Sequence, residues 1–101
     1  MPKLYEYFGL LIMFYANEHE PVHVHGKCQG RESKAEIVIL DGIVTDIRYS
    51  EVAGRVPLDF REMQHFTDIV SARANDIVQK WIDFFVLHKS VKPERITRRL
   101  K

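Results

Sequence analysis

The sequence predicts an α+β fold: a four-stranded antiparallel meander followed by one long kinked helix, or two helices, packed on one sheet face. Three observations carry this reading. Apolar residues alternate with period two up to Tyr49, they recur at helical spacing after Pro57, and Asp41-Gly42 separates two branched-rich runs as a type I′ hairpin turn. Strands first and helix afterwards is the α+β order, with the helical segment covering one face of the sheet.

Each element has its own signal. Tyr7 to Tyr15, rich in aromatic and branched residues, reads as the first strand, and Asn17-Glu18-His19-Glu20-Pro21 is the polar, proline-closed connection after it. Val22-His23-Val24-His25 alternates as the second strand and Gln29-Gly30-Arg31 turns it. Ala35 to Leu40 and Ile43 to Tyr49 complete the meander over residues 7–49. Beyond Gly54 and Pro57, Asp59 stands three residues before Glu62 as a capping box, and Phe60, Met63, Phe66, Ile69 and Val70 open a helical stripe that Ile77, Trp81, Phe84, Phe85 and His88 continue. The helix is expected over residues 58–89. Unbroken, it would run roughly 45 Å, longer than so small a core covers, so a break or kink is expected between Arg73 and Asn75. The aromatics Phe60, Phe66, Trp81, Phe84 and Phe85 are expected in the core.

A chain of 101 residues with 46% apolar content suits one domain. That domain is expected over residues 1–90, with a core that needs no disulfide or metal, followed by a basic tail at 91–101. The formal net charge is only +1. Yet Lys89, Lys92, Arg95, Arg98, Arg99 and Lys101 face Glu94 alone near the C-terminus, so the body is mildly acidic and the tail basic. With Ile96 and Leu100 as its apolar anchors, the tail is expected to be disordered or loosely docked. The Met-Pro-Lys-Leu start has no leader pattern, and the apolar run from Phe8 to Ala16 falls short of the ~20 residues of a membrane helix. A cytoplasmic chain with no membrane contact is therefore expected. The single Cys28 fits a reducing compartment and reads as an ordinary strand residue.

The constellation with chemical content is His19-Glu20-Pro21-Val22-His23-Val24-His25. On a strand His23 and His25 project from one face with Cα atoms roughly 6.6 Å apart, while Val22 and Val24 point to the core. Two imidazoles at that spacing can chelate one divalent metal ion, and His19 can fold back as a third nitrogen ligand, with Glu18 or Glu20 as a substitute or supporting acceptor. Metal-free acid–base chemistry or phosphate contact by the same three histidines is the catalytic alternative, and polar residues on an open sheet face or in an interface are the non-catalytic one. Asp46 and Arg48 belong to the same candidate polar face. His65 and His88 fall on the helical segment and read as structural. Arg95, Arg98 and Arg99 are the candidate contacts to nucleic acid or to a partner.

Phe8-Gly9, the stretch Tyr15-Ala16-Asn17-Glu18-His19-Glu20-Pro21-Val22-His23-Val24-His25, Gly54-Arg55-Val56-Pro57 and a helix reaching Trp81 together resemble a largely bacterial family, domain of unknown function 4160, over about residues 1–85. The family signature carries a second proline where this chain has Val22 and a phenylalanine where it has Val24. A helical histidine common in the family is replaced near Arg73. The resemblance implies one half of a two-gene module grouped by genomic neighbourhood with toxin–antitoxin components, and hence a small protein partner such as a cognate antitoxin-like protein.

Three readings follow. In the first, the chain is a toxin-like component whose histidine face is the working site, with RNA as its target. In the second, it is a non-catalytic binding module or inhibitor that docks a protein through the sheet face or the tail. In the third, it binds nucleic acid through the tail. A second copy of the chain is a further candidate partner.

Overall fold

Three dipeptides ending in glycine shape the sheet. Phe8-Gly9, Gln29-Gly30 and Asp41-Gly42 each place both residues at positive φ, the type I′ geometry whose twist matches that of paired strands. The computed structural model describes residues 2–17 and 21–100. In it the three turns join β1 (Lys3–Tyr7) to β2 (Leu10–Met13), β3 (His23–Cys28) to β4 (Arg31–Leu40), and β4 to β5 (Ile43–Glu51), followed by α1 (Phe60–Phe85) and β6 (Glu94–Ile96). The strands form one sheet in the order β5-β4-β3-β2-β1-β6. Consecutive strands from β1 to β5 pair antiparallel, whereas β6 runs parallel to β1.

The α+β class holds, but the four-stranded meander must be enlarged. The run from Tyr7 to Tyr15 is not one strand, because Phe8 takes φ 49° and starts a turn. A bulky aromatic rarely adopts that conformation, and it concealed the hairpin. β4 begins at Arg31 rather than Ala35 because Glu32 and Ser33, though polar, are buried in the ladder. The sheet is also mixed, since the tail supplies a parallel strand. Glu94–Ile96 pairs with Tyr5–Tyr7, Ile96 is buried, Leu100 packs against the core, and the Leu100 N–H donates to the Tyr7 hydroxyl at 2.9 Å. Residues 94–100 are therefore docked, in contrast to the loose tail expected from apolar content, because the free edge of β1 supplies backbone hydrogen bonds that side-chain hydropathy does not register.

α1 starts where the capping box predicts: the Glu62 N–H donates to Asp59 Oδ1 at 2.8 Å and the Asp59 N–H to Glu62 Oε1 at 2.9 Å. It kinks at Arg73 (φ −118°, ψ 17°) and ends at Phe85, short of His88. Phe66, Ile69, Val70 and Ile77 pack on one sheet face with Leu4, Tyr5, Tyr7, Leu10, Ile12, Phe14, Val24, Ala35 and Ile37. Trp81, Phe84 and Phe85 are partly buried against this core, but Phe60 is 86% exposed and does not belong to it. Phe60 lies six positions before Phe66, which at 3.6 residues per turn rotates it about 120° off the buried stripe. At Gly26, directly beneath α1, a Cβ would lie 2.8 Å from the Phe66 ring, so the absent side chain sets how closely helix and sheet approach.

The kink is tied down from the sheet. The Tyr5 hydroxyl donates to Asp76, Lys80 Nζ lies 3.3 Å from the same carboxylate, and Arg73 reaches Glu94 of β6 at 4.0 Å. Burial would raise the Asp76 carboxyl, but the hydrogen bonds from Tyr5 and Lys80 outweigh it and hold the group below its usual range. Among the described residues, no helix is long and apolar enough to cross a membrane.

Candidate functional site

The site lies on the sheet face opposite α1. Directly paired residues of an antiparallel ladder project to the same side, so the pairings Met13↔His25, His25↔Lys34, His23↔Glu36 and Lys27↔Glu32 place all of these side chains on one face. Val24 points the other way and is wholly buried, as the period-two alternation requires. His23 and His25 therefore share a face, with ring centroids 5.2 Å apart and the rings nearly edge-on. Both are nonetheless shielded, at 8% and 3% exposure, rather than standing open on the sheet. Tyr15 accounts for part of this cover, its ring lying edge-on to His25 at 4.6 Å. The third expected member, His19, lies with Glu18 and Glu20 outside the described residues.

Each imidazole has an oxygen close to Nδ1. His23 Nδ1 is 2.6 Å from the Pro21 carbonyl oxygen. That oxygen can only accept, so Nδ1 carries the proton and, in the neutral ring, the electron pair sits on Nε2. His25 Nδ1 stands 2.9 Å from Glu32 Oε2, an ion-pair distance. Glu32 is itself 2% exposed and also accepts from the Tyr15 hydroxyl at 3.0 Å, while Arg55 Nε approaches its other oxygen at 3.4 Å. A carboxylate or carbonyl behind the far nitrogen of a histidine is the supporting arrangement found at metal-binding and acid–base imidazoles.

Local structure explains why Arg55 arrives there. The Glu32 N–H donates to the Val56 carbonyl at 2.8 Å and the Leu58 N–H donates to the Ser33 hydroxyl at 3.1 Å. Together they stitch residues 56–58 to the start of β4. Arg55, just before that stitch, is carried over Glu32, while Lys27 lies over the Tyr15 ring at 5.9 Å from its centroid. With Lys34 beside His25, cations flank the buried imidazoles on this face. Among the described residues, no three histidine, cysteine, aspartate or glutamate side chains converge to hold a metal ion. His23 and His25 supply two nitrogens, and a complete site needs a further donor.

Other sequence candidates fall elsewhere. Asp46 and Arg48 do lie on the histidine side of the sheet, but on β5, two strands from β3 and paired with each other at 3.8 Å. Arg95 donates to Glu6 at 3.0 Å as a neighbour-strand pair while remaining exposed, and Arg98 and Arg99 are exposed as well. Arg99 lines a cleft of about 330 Å³ with Cys28, Glu62 and His65, beside the N-terminus of α1. There the Cys28 thiol is pushed up to about 11 by burial, then by its hydrogen bond to Glu62 and the nearby carboxylates, so it is neutral and no ready nucleophile. The His65 ring meets Tyr7 edge-on, with centroids 5.5 Å apart, and Phe8 at a tilt, with centroids 5.6 Å apart.

Tyr15, Lys27, Glu32, Lys34 and Arg55 had not been singled out as site residues. Glu32 carried the one usable signal: a charged residue two positions after a turn glycine, whose hairpin register sets it across from Lys27 and two residues along the ladder from His25. No curated protein and no solved structure matches the chain. A model of the family described as domain of unknown function 4160 matches residues 9–82. That span includes the whole histidine face described above together with nearly all of α1, and the chain belongs to this family.

Proposed function

We propose that the protein works through His23 and His25, as the acting component of a two-gene toxin–antitoxin-like module, with a divalent metal ion at the imidazoles and RNA as the substrate class. The observation that carries the reading is the pair of shielded imidazoles on one sheet face, each with an oxygen beside Nδ1, the Pro21 carbonyl at 2.6 Å from His23 and the Glu32 carboxylate at 2.9 Å from His25, so that Nε2 is the ligating or proton-accepting atom in this reading. A metal ion suits these rings better than direct contact with a polymer, because at 8% and 3% exposure they admit an ion more readily than a phosphodiester. His19 is the third nitrogen ligand in this reading. The ion would polarise a phosphate oxygen and activate water for hydrolysis. Lys27, Lys34 and Arg55, which flank the site, favour an anionic substrate. The two-gene setting and its small protein partner rest on the family resemblance alone.

Expression in bacteria with and without the neighbouring gene tests the reading. Growth arrest with loss of cellular RNA, relieved by His23→Ala and by the neighbouring gene, is expected. A harmless wild type that forms a tight complex with a protein partner would instead favour the binding module.

A further inference from the structure

The two edges of the sheet are unequal. β6 closes one side with three residues, whereas β5 closes the other with nine, Ile43–Glu51, and contains neither proline nor lysine, two residues that commonly blunt an exposed edge. The Ile37 N–H donates to Val22 on the β3 side at 2.9 Å. Ile37 and its β5 partner Ile47 are therefore a non-hydrogen-bonded pair, and the backbone groups of Ile47 point out of the sheet. By strand alternation those of Tyr49 do the same. The Ile47 N–H is held by its neighbour's side chain, Asp46 Oδ1, at 2.8 Å, and Arg48 Nε lies 3.8 Å from Asp46 Oδ2.

We propose that a second copy of this chain pairs with the first along β5, antiparallel and centred on Ile47. A two-fold axis at that residue sets Ile47 against Ile47 of the second copy as a hydrogen-bonded pair. It also places Asp46 opposite Arg48 of the second copy, once on each side of the axis. Charge selects this register. An axis at Arg48 would oppose two guanidinium groups, one at Asp46 would oppose two carboxylates, and one at Tyr49 would leave Asp46 without an opposite cation. The carboxylate of Asp46, drawn to the facing arginine, releases the Ile47 N–H to the carbonyl of the second copy.

The axis stands perpendicular to the sheet, so each face continues into the same face of the other copy. Both histidine clusters then lie on one side of a twelve-stranded sheet, on β3 strands separated by five strand spacings, roughly 24 Å. This association stands whether or not the histidines are catalytic.

Sedimentation equilibrium of the full chain and three charge variants tests the proposal. Wild type is expected at twice the 11.9 kDa chain mass. Asp46→Arg and Arg48→Asp are each expected to be monomeric or at least tenfold weaker in association, and the Asp46→Arg/Arg48→Asp double variant should recover the dimer because the swapped charges again face each other. Circular dichroism confirms that each variant is folded, and a variant that does not fold is replaced by Asp46→Lys or Arg48→Glu. A monomeric wild type, a dimer indifferent to the single reversals, or a double variant that stays monomeric would each overturn the proposal.

Discussion

His25 Nδ1 lies 2.9 Å from Glu32 Oε2, a pairing across adjacent strands between an imidazole and a carboxylate that are both almost wholly shielded from water. Glu32 also takes the Tyr15 hydroxyl and faces Arg55, so one carboxylate organises three side chains from three parts of the chain. Replacing it should remove the acceptor of the Tyr15 hydroxyl and the carboxylate beside His25. Glu32→Ala is expected to lower stability by about 3 kcal/mol, read from urea unfolding, with Glu32→Gln costing less. A loss below about 0.5 kcal/mol for Glu32→Ala would show that the cluster is not tied together through this residue.

The tail makes the second prediction. Deleting residues 92–101 removes β6, exposes the β1 edge and uncovers the sites of Ile96 and Leu100. Burying one such side chain is worth about 2 kcal/mol, and each kcal/mol moves the melting point of a chain this size by about 5 °C. A fall on the order of 10 °C or more is expected in a thermal melt. An unchanged melting point would return the tail to the loosely attached segment that its composition suggests.

Gly26 and Phe66 supply a packing test. A methyl group at Gly26 would meet ring carbons of Phe66 at 2.8 and 2.9 Å, so the ring must move. Gly26→Ala is expected to cost about 1–3 kcal/mol. Combined with Phe66→Leu it should cost clearly less than the two single changes added together, because the smaller side chain makes room. Strict additivity in a double-mutant cycle would contradict the contact.

Cys28 gives a pH dependence whose sign is set by its surroundings. Burial, the Glu62 hydrogen bond and the neighbouring carboxylates raise the thiol to about 11, against a weaker pull from Arg31. The proton is therefore held more tightly in the folded than in the unfolded chain. Its contribution to stability is full below about pH 8.5 and is lost as pH rises towards 11. Alkylation of the native protein should be slow at pH 8 and accelerate only as pH approaches 11, and Glu62→Gln should move the rise to lower pH. Rapid labelling at pH 7 would contradict this environment.

Much of the architecture was legible because period and turn chemistry are local. Asp41-Gly42, the Asp59/Glu62 capping box and the inward Val24 all follow from residues within a few positions of one another, whereas the break at Arg73 follows from the length of the helical stripe against the size of the core. The features that escaped depend on distant partners. β6 exists because β1 offers an unpaired edge almost ninety residues away in sequence, and the Phe8-Gly9 hairpin is carried by an aromatic in a conformation that aromatics seldom adopt. The shared face of His23 and His25 was readable from alternation, but their shielding by Tyr15 and their link to Glu32 require the register of three strands.

In the proposed site His23 and His25 present their Nε2 atoms to one ion. Isothermal titration of the wild type with zinc and with manganese is expected to show one ion per chain. His19→Ala should weaken that binding, and His23→Ala/His25→Ala should abolish it while the circular dichroism spectrum is retained. Equal, weak binding by the wild type and a folded double variant would contradict the metal site and leave the imidazoles to acid–base chemistry or partner contact.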